Sequence, residues 1–558
     1  MTGRPANGRG RLVAAGAVVA GLAVVYGAGF VSHPATIGSS TELAQPTGVP
    51  VVSAVRACPA PGSAGVTAAS VATAARPATS GPGTGRPAVS GQAASGPAGV
   101  PAGSVVISRL SGTGSPATGR VVRKLARPGM LGWSPVRTAP PPKVTRTRAT
   151  GTGGTGSTGT GKAGKKGSGT GGTGAGGTAG VTGPDVATSP GRGGVLVQAA
   201  GAMAQGLEVE QTGPGGLVTG QCAAPGTDFW FAGPGTDTAS HIQLYLMNPD
   251  GDPADVEVDG LTDNGPLVGS SDTGIVVPPH GMVTQSLGKL LHNSRVIGLH
   301  VSTSVGRVVA GVRETKSTAE PGGWLTPLQP PARRLVIPGL PKSAGTRELF
   351  IVVPGSDSAQ LKVTAVTAKG SYQPTGGNGI DLAGDSVVSV KLPSLSDVAA
   401  AVKITSSVPV AAAIEVPGGA NGAPGAFSGT ATPVREQGIA AANPAGTAGS
   451  ADLVISAPKT AASVRIATAT TKVAFDQGRV VHVAAGHTVV TRIKPPKGGK
   501  TDTFAALVTP LPGSGPVYVG RFIASGGLIR TILPVTSALT WVPLASARDS
   551  LDAVRPGR

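Results

Sequence analysis

The sequence has few aromatic and few charged side chains. Of its 558 residues, 3% are Phe, Trp or Tyr and 13% are Asp, Glu, Lys or Arg, whereas 89 are Gly and 50 are Pro. A core made under these limits must consist of Val, Ile, Leu and Ala, which suits short strands in thin β-sandwiches. The sequence therefore predicts an all-β protein. Gly and Pro are spread unevenly, so only about the last two thirds of the chain are expected to be globular.

Acidic residues are nearly absent from the first third of the chain. Residues 1–184 contain 18 Lys and Arg but one acid, Glu42, a net charge of +17, whereas residues 185–558 contain 28 Lys and Arg and 26 Asp and Glu. The overall charge of +19 thus belongs mainly to the N-terminal part. A nearly neutral globular part argues against a specific nucleic-acid-binding domain and favours a solvated basic arm.

The sequence also lacks a recognisable catalytic motif. No two His have the His-Glu-x-x-His spacing of zinc hydrolases, and no Ser lies in the Gly-x-Ser-x-Gly turn of the α/β hydrolases. We expect a protein that is not an enzyme and needs no cofactor. A hydrolase whose carboxylates come together only on folding stays open as an alternative.

An uncharged run of twenty residues follows three arginines at the N-terminus. Arg4, Arg9 and Arg11 precede residues 12–31, which as a helix would cross the apolar layer of a bilayer. Cationic flanks stay in the cytoplasm, so residues 1–35 are expected to be a cytoplasmic tip and single transmembrane anchor, with the C-terminal part outside the cell membrane. The alternative is a cleaved signal peptide and secretion, since small residues lie at positions 27–29.

The chain has two cysteines, Cys58 and Cys222. In an oxidising compartment a lone pair most simply forms a disulfide. Such a bond would join a strand before Cys58 to the region around Cys222 and make the stretch between them an insertion. Free or metal-binding thiols are the alternatives.

Three apolar runs in the second half of the chain each end at a proline. Pro249, Pro354 and Pro458 are 105 and 104 residues apart, and each precedes an alternating run typical of a half-buried strand. The pattern predicts three tandem β-sandwich-like modules. Their expected bounds are residues 48–58 with 194–327, residues 334–416 and residues 438–544, followed by a disordered tail at 545–558.

The long stretch inside the first module is rich in Ala, Gly, Pro, Ser and Thr. Residues 59–193 are expected to be a basic, mostly disordered insertion, with ordered patches near residues 104–110 and 119–133. Eight cations in it are candidates for contact with anionic wall polymers or a membrane surface, and a nonspecific solvated tail is the alternative. These cations are Arg120, Arg123, Lys124, Arg127, Arg137, Lys143, Arg146 and Arg148.

A dense group of acids follows Pro249. Asp250, Asp252 and Asp255 are weak candidates for calcium ligands, because calcium prefers carboxylate oxygens. Their spacing differs from that of the EF-hand loop. Residues 248–253, Asn-Pro-Asp-Gly-Asp-Pro, are also typical of a turn, which is the simpler interpretation.

Four short motifs resemble those of a known family. They are Cys58-Pro59, residues 206–211 (Gly-Leu-Glu-Val-Glu-Gln), residues 222–231 (Cys-Ala-Ala-Pro-Gly-Thr-Asp-Phe-Trp-Phe) and residues 409–412 (Pro-Val-Ala-Ala). Outside residues 60–190 the chain resembles the exported actinobacterial family catalogued as domain of unknown function 5719. The resemblance implies export and an uncharacterised role, and it supplies no catalytic residue.

The sequence as a whole favours a non-enzymatic protein of the cell envelope, outside the cytoplasm, that acts as a scaffold or interaction module. Its expected partners are wall polymers, the membrane surface or envelope proteins. Binding of a wall polysaccharide or anionic wall polymer is the alternative function. Sugar binding usually requires aromatic faces, and the globular part has few, Trp230 and Trp324 among them.

Overall fold

A computed structural model shows the architecture of the chain. It describes residues 48–59, 65–69, 103–110, 121–125, 130–133, 194–212, 218–236, 241–267, 274–289, 291, 294–315, 323–395, 397–418, 425–498 and 502–543. The predicted anchor at residues 12–31 and the predicted tail at 545–558 lie outside these segments. Within the segments, no helix is long and apolar enough to cross a membrane.

The chain divides into two units. One consists of residues 1–49 and 542–558, and its described part belongs to two short paired strands, β1 (Gly48–Pro50) and β35 (Trp541–Pro543). The other unit, Pro50–Trp541, contains all the remaining strands.

The described residues of the larger unit are mainly β-strands, which confirms the predicted all-β class. They form four groups, here called repeats 1 to 4. Repeat 1 comprises β2 (Ser53–Cys58), β3 (Gly65–Ala69), β4 (Gly103–Arg109), β5 (Val121–Leu125), β6 (Met130–Trp133), β7 (Val195–Ala200), β8 (Glu208–Thr212) and β9 (Val218–Gln221). Repeat 2 comprises β10 (Asp228–Pro234), β11 (His241–Met247), β12 (Ala254–Thr262), β13 (Gly265–Pro266), β14 (Ile275–Val277), β15 (Met282–Ser286), β16 (Val296–Val305), β17 (Val309–Thr315) and β18 (Gly323–Leu325).

The two C-terminal repeats follow the same plan. Repeat 3 comprises β19 (Ala332–Leu340), β20 (Arg347–Val353), β21 (Ala359–Thr367), β22 (Gly370–Tyr372), β23 (Ile380–Leu382), β24 (Ser386–Leu392), β25 (Ala400–Val416) and β26 (Ala426–Gly429). Repeat 4 comprises β27 (Gly438–Pro444), β28 (Ser450–Ala457), β29 (Ala462–Ala469), β30 (Arg479–Val483), β31 (His487–Ile493), β32 (Thr503–Pro510), β33 (Tyr518–Ser525) and β34 (Leu528–Val535). Among the described residues, short 3-10 turns occur at Gly201–Met203, Leu287–Lys289 and Pro393–Leu395.

All four repeats share one antiparallel strand order. If the eight positions of a repeat are lettered A to H along the chain, one sheet has the order A-F-C-D and the other E-B-G-H, as in β2-β7-β4-β5 and β6-β3-β8-β9 of repeat 1. In repeat 3 the long strand β25 serves as both F and G. The short strands β13 and β22 are additional hairpin partners of strand C. The three prolines of the sequence pattern each follow strand B of repeats 2, 3 and 4.

Alternation along the strands buries the side chains of one face and exposes those of the other. On β21, Leu361 and Val363 are buried while Gln360 and Lys362 are exposed, as the period of two predicts. In repeat 3 one core cluster combines residues of both sheets, for example Val363 from strand C and Ile351 from strand B. Full burial of such a side chain stabilises the fold by about 1.5–3 kcal/mol.

The region between Cys58 and residue 194 contributes more to the fold than its composition suggests. Strands β4 to β6 coincide with the ordered patches expected near residues 104–110 and 119–133, whereas β3 lies in a part of the insertion expected to be disordered. Together with β2 and β7 to β9 these strands complete repeat 1. The structure thus has four repeats where the sequence predicts three. Strands β7 and β8 pair with the inserted strands β4 and β3, β2 and β9 pair with β7 and β8, and residues 228–325 form their own two sheets. The physical reason is that residues 134–193 separate strands E and F of repeat 1, which hides the period of about 105 residues seen elsewhere.

Neighbouring repeats contact each other in a closed order. Strand A of repeat 2 packs on strand G of repeat 3, strand A of repeat 3 on strand G of repeat 4, and strand A of repeat 4 on strand G of repeat 1. Ala57 on strand A of repeat 1 shares an apolar cluster with Val309 on strand G of repeat 2. The H strands, β9, β18, β26 and β34, contact one another in the same cyclic order. Repeat 4 therefore contacts repeat 1 and closes the order.

Candidate functional site

The two cysteines form a disulfide, as the sequence predicts. Cys58 ends β2 and Cys222 follows β9, and their Cα atoms are 4.6 Å apart. Beside the bond, the N–H of Ala57 donates to the carbonyl of Ala223 at 3.0 Å. The disulfide links strands A and H of repeat 1 across 164 residues of chain.

The calcium candidates belong to a turn that an arginine holds. The N–H of Asp250 donates to Asn248 Oδ1 at 2.9 Å, and Asn248 Nδ2 donates to the carbonyl of Asp252 at 2.7 Å. The carboxylate of Asp250 accepts hydrogen bonds from Arg307 Nε and Nη2 at 2.8 and 3.0 Å, and these bonds lower the pKa of Asp250. Asp255 lies on β12. Within the described segments, no three His, Cys, Asp or Glu are grouped so that they could hold a metal ion.

The structure places two of the eight basic candidates. Arg123 and Lys124 lie on β5, where they pair with Val105 and Ser104 of β4. The other six, Arg120, Arg127, Arg137, Lys143, Arg146 and Arg148, lie outside the described residues. Their contact with an anionic polymer or membrane surface stays a prediction.

Repeat 2 carries a polar cluster that no sequence motif indicates, because its members come from three strands. His300 on β16 lies between Asp228 on β10 and Asp259 on β12, with Nε2 3.2 Å from Asp228 Oδ1 and Nδ1 3.3 Å from Asp259 Oδ2. The imidazole stacks on Trp230 at a centroid distance of 4.1 Å. The cluster ties strands A, F and C together and covers one face of the indole.

A buried ion pair joins repeat 4 to repeat 1. Glu210 on β8 and Arg521 on β33 are 4% and 1% exposed, and Arg521 Nη1 lies 2.9 Å from Glu210 Oε2. The carboxylate also accepts the backbone N–H groups of Ala441 and Ala442 on β27, at 3.0 and 2.9 Å. A buried carboxylate requires such donors, because an unpaired charge away from water is strongly unfavourable. The chemistry of this site is the recognition of a carboxylate.

A comparison with protein families covers the centre of the chain. The profile of a family described as a family of unknown function (DUF5719) matches residues 181–494, more than half of the 558 residues. The chain belongs to this family. The matched part of the DUF5719 chain includes Glu210 and Cys222, all of repeats 2 and 3, and repeat 4 as far as β31. No curated protein and no solved structure matches the chain.

A second carboxyl group of the DUF5719 chain lies two residues before Glu210. Glu208 is partly buried and accepts a hydrogen bond from Gln221 Nε2 on β9. Burial raises the pKa of Glu208 to about 7, and the positive charge of Arg56 and the bond from Gln221 oppose this rise. Near neutral pH the carboxyl is therefore present in both charge states.

A small cleft of the DUF5719 chain lies between repeats 1, 2 and 4. Its walls include Gly220, Gln221, Gly311, Trp324, Thr326 and Leu533. The indole of Trp324 packs against Tyr245, with ring centroids 5.3 Å apart, and the guanidinium of Arg313 lies 5.9 Å from its centroid. The lining of this cleft, all of it in the described segments, contains no titratable side chain. The cleft can therefore offer packing and hydrogen bonds but no general acid or base.

Proposed function

We propose that this protein is a non-enzymatic scaffold of the cell envelope, outside the membrane and tethered by its N-terminal segment. Each repeat is then a β-sandwich-like module whose sheets A-F-C-D and E-B-G-H face each other across one core. The observation that carries the proposal is the closed order of contacts, in which strand A of each repeat packs on strand G of the next. Four modules held in this way form a body suited to presenting surfaces to other proteins.

Specific contacts at the junctions support a permanent arrangement of the repeats. Phe350 and Phe427 of repeat 3 belong to the core cluster of repeat 2. Thr326 of repeat 2 donates a hydrogen bond to the carbonyl of Phe427 at 3.1 Å. Thr488 of repeat 4 donates to the carbonyl of Val366 in repeat 3 at 2.7 Å. Shared apolar burial combined with satisfied buried hydrogen bonds is typical of obligate interfaces rather than of transient ones.

The disulfide supports a location outside the cytoplasm. Disulfides persist in oxidising compartments, whereas cytosolic thiols are kept reduced. Cys58 and Cys222 are both buried, as expected of a structural bond. Partners of an exported scaffold would be proteins of the envelope.

Binding of a wall polymer is the competing function, and the aromatic residues give it less support. Trp230 stacks on His300, and Trp324 contacts Tyr245 and Arg313. A sugar-binding site usually offers a free aromatic face. In these two residues part of the ring surface is used inside the protein.

The experiment compares the full-length protein with a variant that lacks residues 134–166, which removes seven Lys and Arg but keeps β5 and β6. A second variant lacks residues 167–182, which shortens the same stretch without removing a charged residue. Each protein is crosslinked in cells, its envelope partners are identified by mass spectrometry, and its binding to isolated walls is measured at low and high salt. The proposal predicts the same crosslinked proteins for all three. Wall binding that disappears at high salt, and that is also lost in the variant lacking residues 134–166 but not in the variant lacking residues 167–182, would favour the polymer function. Hydrolysis of wall glycan or peptide would contradict the scaffold.

A further inference from the structure

The pairing of β27 with β32 is irregular beside Glu210. The register shifts between Ala440 and Asn443, which leaves Ala441 and Ala442 outside the ladder to β32. Their N–H groups instead converge on the two oxygens of Glu210. Successive N–H groups that point to one place form a small concavity suited to an anion.

Arg521 supplies the positive charge of this concavity. Its Nη1 donates to Glu210 Oε2 at 2.9 Å, to the carbonyl of Ala442 at 2.6 Å and to Asn443 Oδ1 at 3.2 Å. Nε and Nη2 of Arg521 are buried and have no hydrogen-bond partner within the described segments. A guanidinium held this far from water requires an anion, and Glu210 is the anion it contacts.

Other junctions between repeats are built without such a side chain. Gly311 of repeat 2 faces Pro59 of repeat 1, and a Cβ added to Gly311 would lie 3.1 Å from Pro59 Cγ. Gly520 of repeat 4 lies so near Gly339 of repeat 3 that an added Cβ would be 2.2 Å from the Cα of Gly339. The second of these contacts joins backbone to backbone. Among the ion pairs of the described residues, that of Glu210 and Arg521 alone joins two repeats.

We propose that Ala441, Ala442 and Arg521 form a carboxylate-binding site in repeat 4, and that Glu210 of repeat 1 is its internal ligand. Two N–H groups and one guanidinium nitrogen recognise the two oxygens of a single carboxylate. Occupation by Glu210 fastens repeat 4 to repeat 1. When Glu210 is absent, the site takes a small free carboxylate in its place. This inference goes beyond the scaffold function, because the site exists whatever the protein binds.

The test is chemical rescue in the full-length, disulfide-bonded protein. The variant Glu210→Ala is compared with wild type in sodium formate, in sodium acetate, and in sodium chloride of equal ionic strength. We expect a lower Tm in the variant and exchange of the Ala441 and Ala442 amide hydrogens faster by about tenfold or more. Formate and acetate should reverse both changes as their concentration rises, and chloride should not. Wild type should show no carboxylate-specific change.

Two control variants make the outcome specific. Glu257→Ala removes an exposed acid from β12 and should show no response to carboxylates. Glu210→Ala combined with Arg521→Met should lose the rescue. If Glu210→Ala does not fold, Glu210→Gln keeps the side-chain volume, and amide exchange at Ala441 and Ala442 is measured there instead. Recovery equal in chloride and formate, no recovery at all, or unchanged exchange in Glu210→Gln would each overturn the proposal.

Discussion

Single polar side chains set the chemistry of this protein where apolar strands meet. Asp250 holds Arg307 at a turn, His300 bridges two aspartates across one sheet, and Glu210 enters a neighbouring repeat. In each case the charged group is matched by donors or acceptors of the chain itself. Charge is scarce in this sequence, so these few pairs identify the places where the fold is specific rather than merely apolar.

Glu208 predicts a pH dependence of stability. Because burial raises the pKa of Glu208 from 4.5 to about 7, the folded protein keeps a proton that the unfolded chain releases. The linked stabilisation is present in full below pH 4.5 and is lost as the pH rises to about 7. The variant Glu208→Gln is neutral at every pH and should lack this decline. Urea unfolding of both proteins across about pH 4 to 8 measures the free energy of unfolding at each pH. Parallel pH profiles for wild type and Glu208→Gln would show that the pKa of Glu208 is not raised by folding.

At the scale of elements, the sequence predicts strands well where its period is intact. The apolar runs before Pro249, Pro354 and Pro458 are strand B of repeats 2, 3 and 4, and the alternating runs after them are strand C. Repeat 1 was hidden because residues 134–193 interrupt it and because its strand B, Gly65–Ala69, is short and surrounded by low-complexity sequence. Hydrophobic patterning needs an uninterrupted window, and such a sequence does not provide one.

The close approach of two backbones at the junction of repeats 3 and 4 predicts a severe effect of a single methyl group. Gly520→Ala places Cβ 2.2 Å from the Cα of Gly339, so strands β19 and β33 must move apart. We expect a loss of stability of about 1–3 kcal/mol or more, as for other overpacked sites. Gly288→Ala is the matched control, since an added Cβ there meets nothing within 4 Å. Thermal unfolding compares the two variants. Equal Tm values for Gly520→Ala and Gly288→Ala would refute the close approach of Gly520 and Gly339.

The disulfide fastens strand A of repeat 1 across a long loop. Cys58→Ser combined with Cys222→Ser removes the bond without leaving a free thiol. Because the bond spans 164 residues, its loss should cost about 2–5 kcal/mol, mainly through the greater entropy of the unfolded chain. Reduction of the wild type should lower Tm to the value of the double variant. Non-reducing mass spectrometry of the purified protein checks that the bond exists, and recovery of two free thiols would contradict it.

For the whole molecule, the closed order of repeats is the property that sequence patterning leaves out. Strand A of every repeat ends at a proline or is directly followed by one, namely Pro59, Pro234, Pro341 and Pro444. This pattern indicates four repeats in the sequence. The pairing of Glu210 with Arg521 could not be predicted from the sequence, because the two residues lie 311 positions apart and their contact depends on how the repeats pack. Periodicity reports which face of a strand is buried, not which repeat covers it.

The double-mutant cycle of Glu210→Gln and Arg521→Met tests the closure of repeat 4 on repeat 1 most directly. Urea unfolding gives the free energy of wild type, both single variants and the double variant. Breaking a buried ion pair from one side costs about 3–5 kcal/mol, whereas removing both charges leaves no unpaired ion. The double variant should therefore lose less stability than the sum of the two single variants, by about 2 kcal/mol or more. Distant, independent residues add to within about 0.5 kcal/mol. Additivity at that level would contradict the contact and, with it, the closed order of the four repeats.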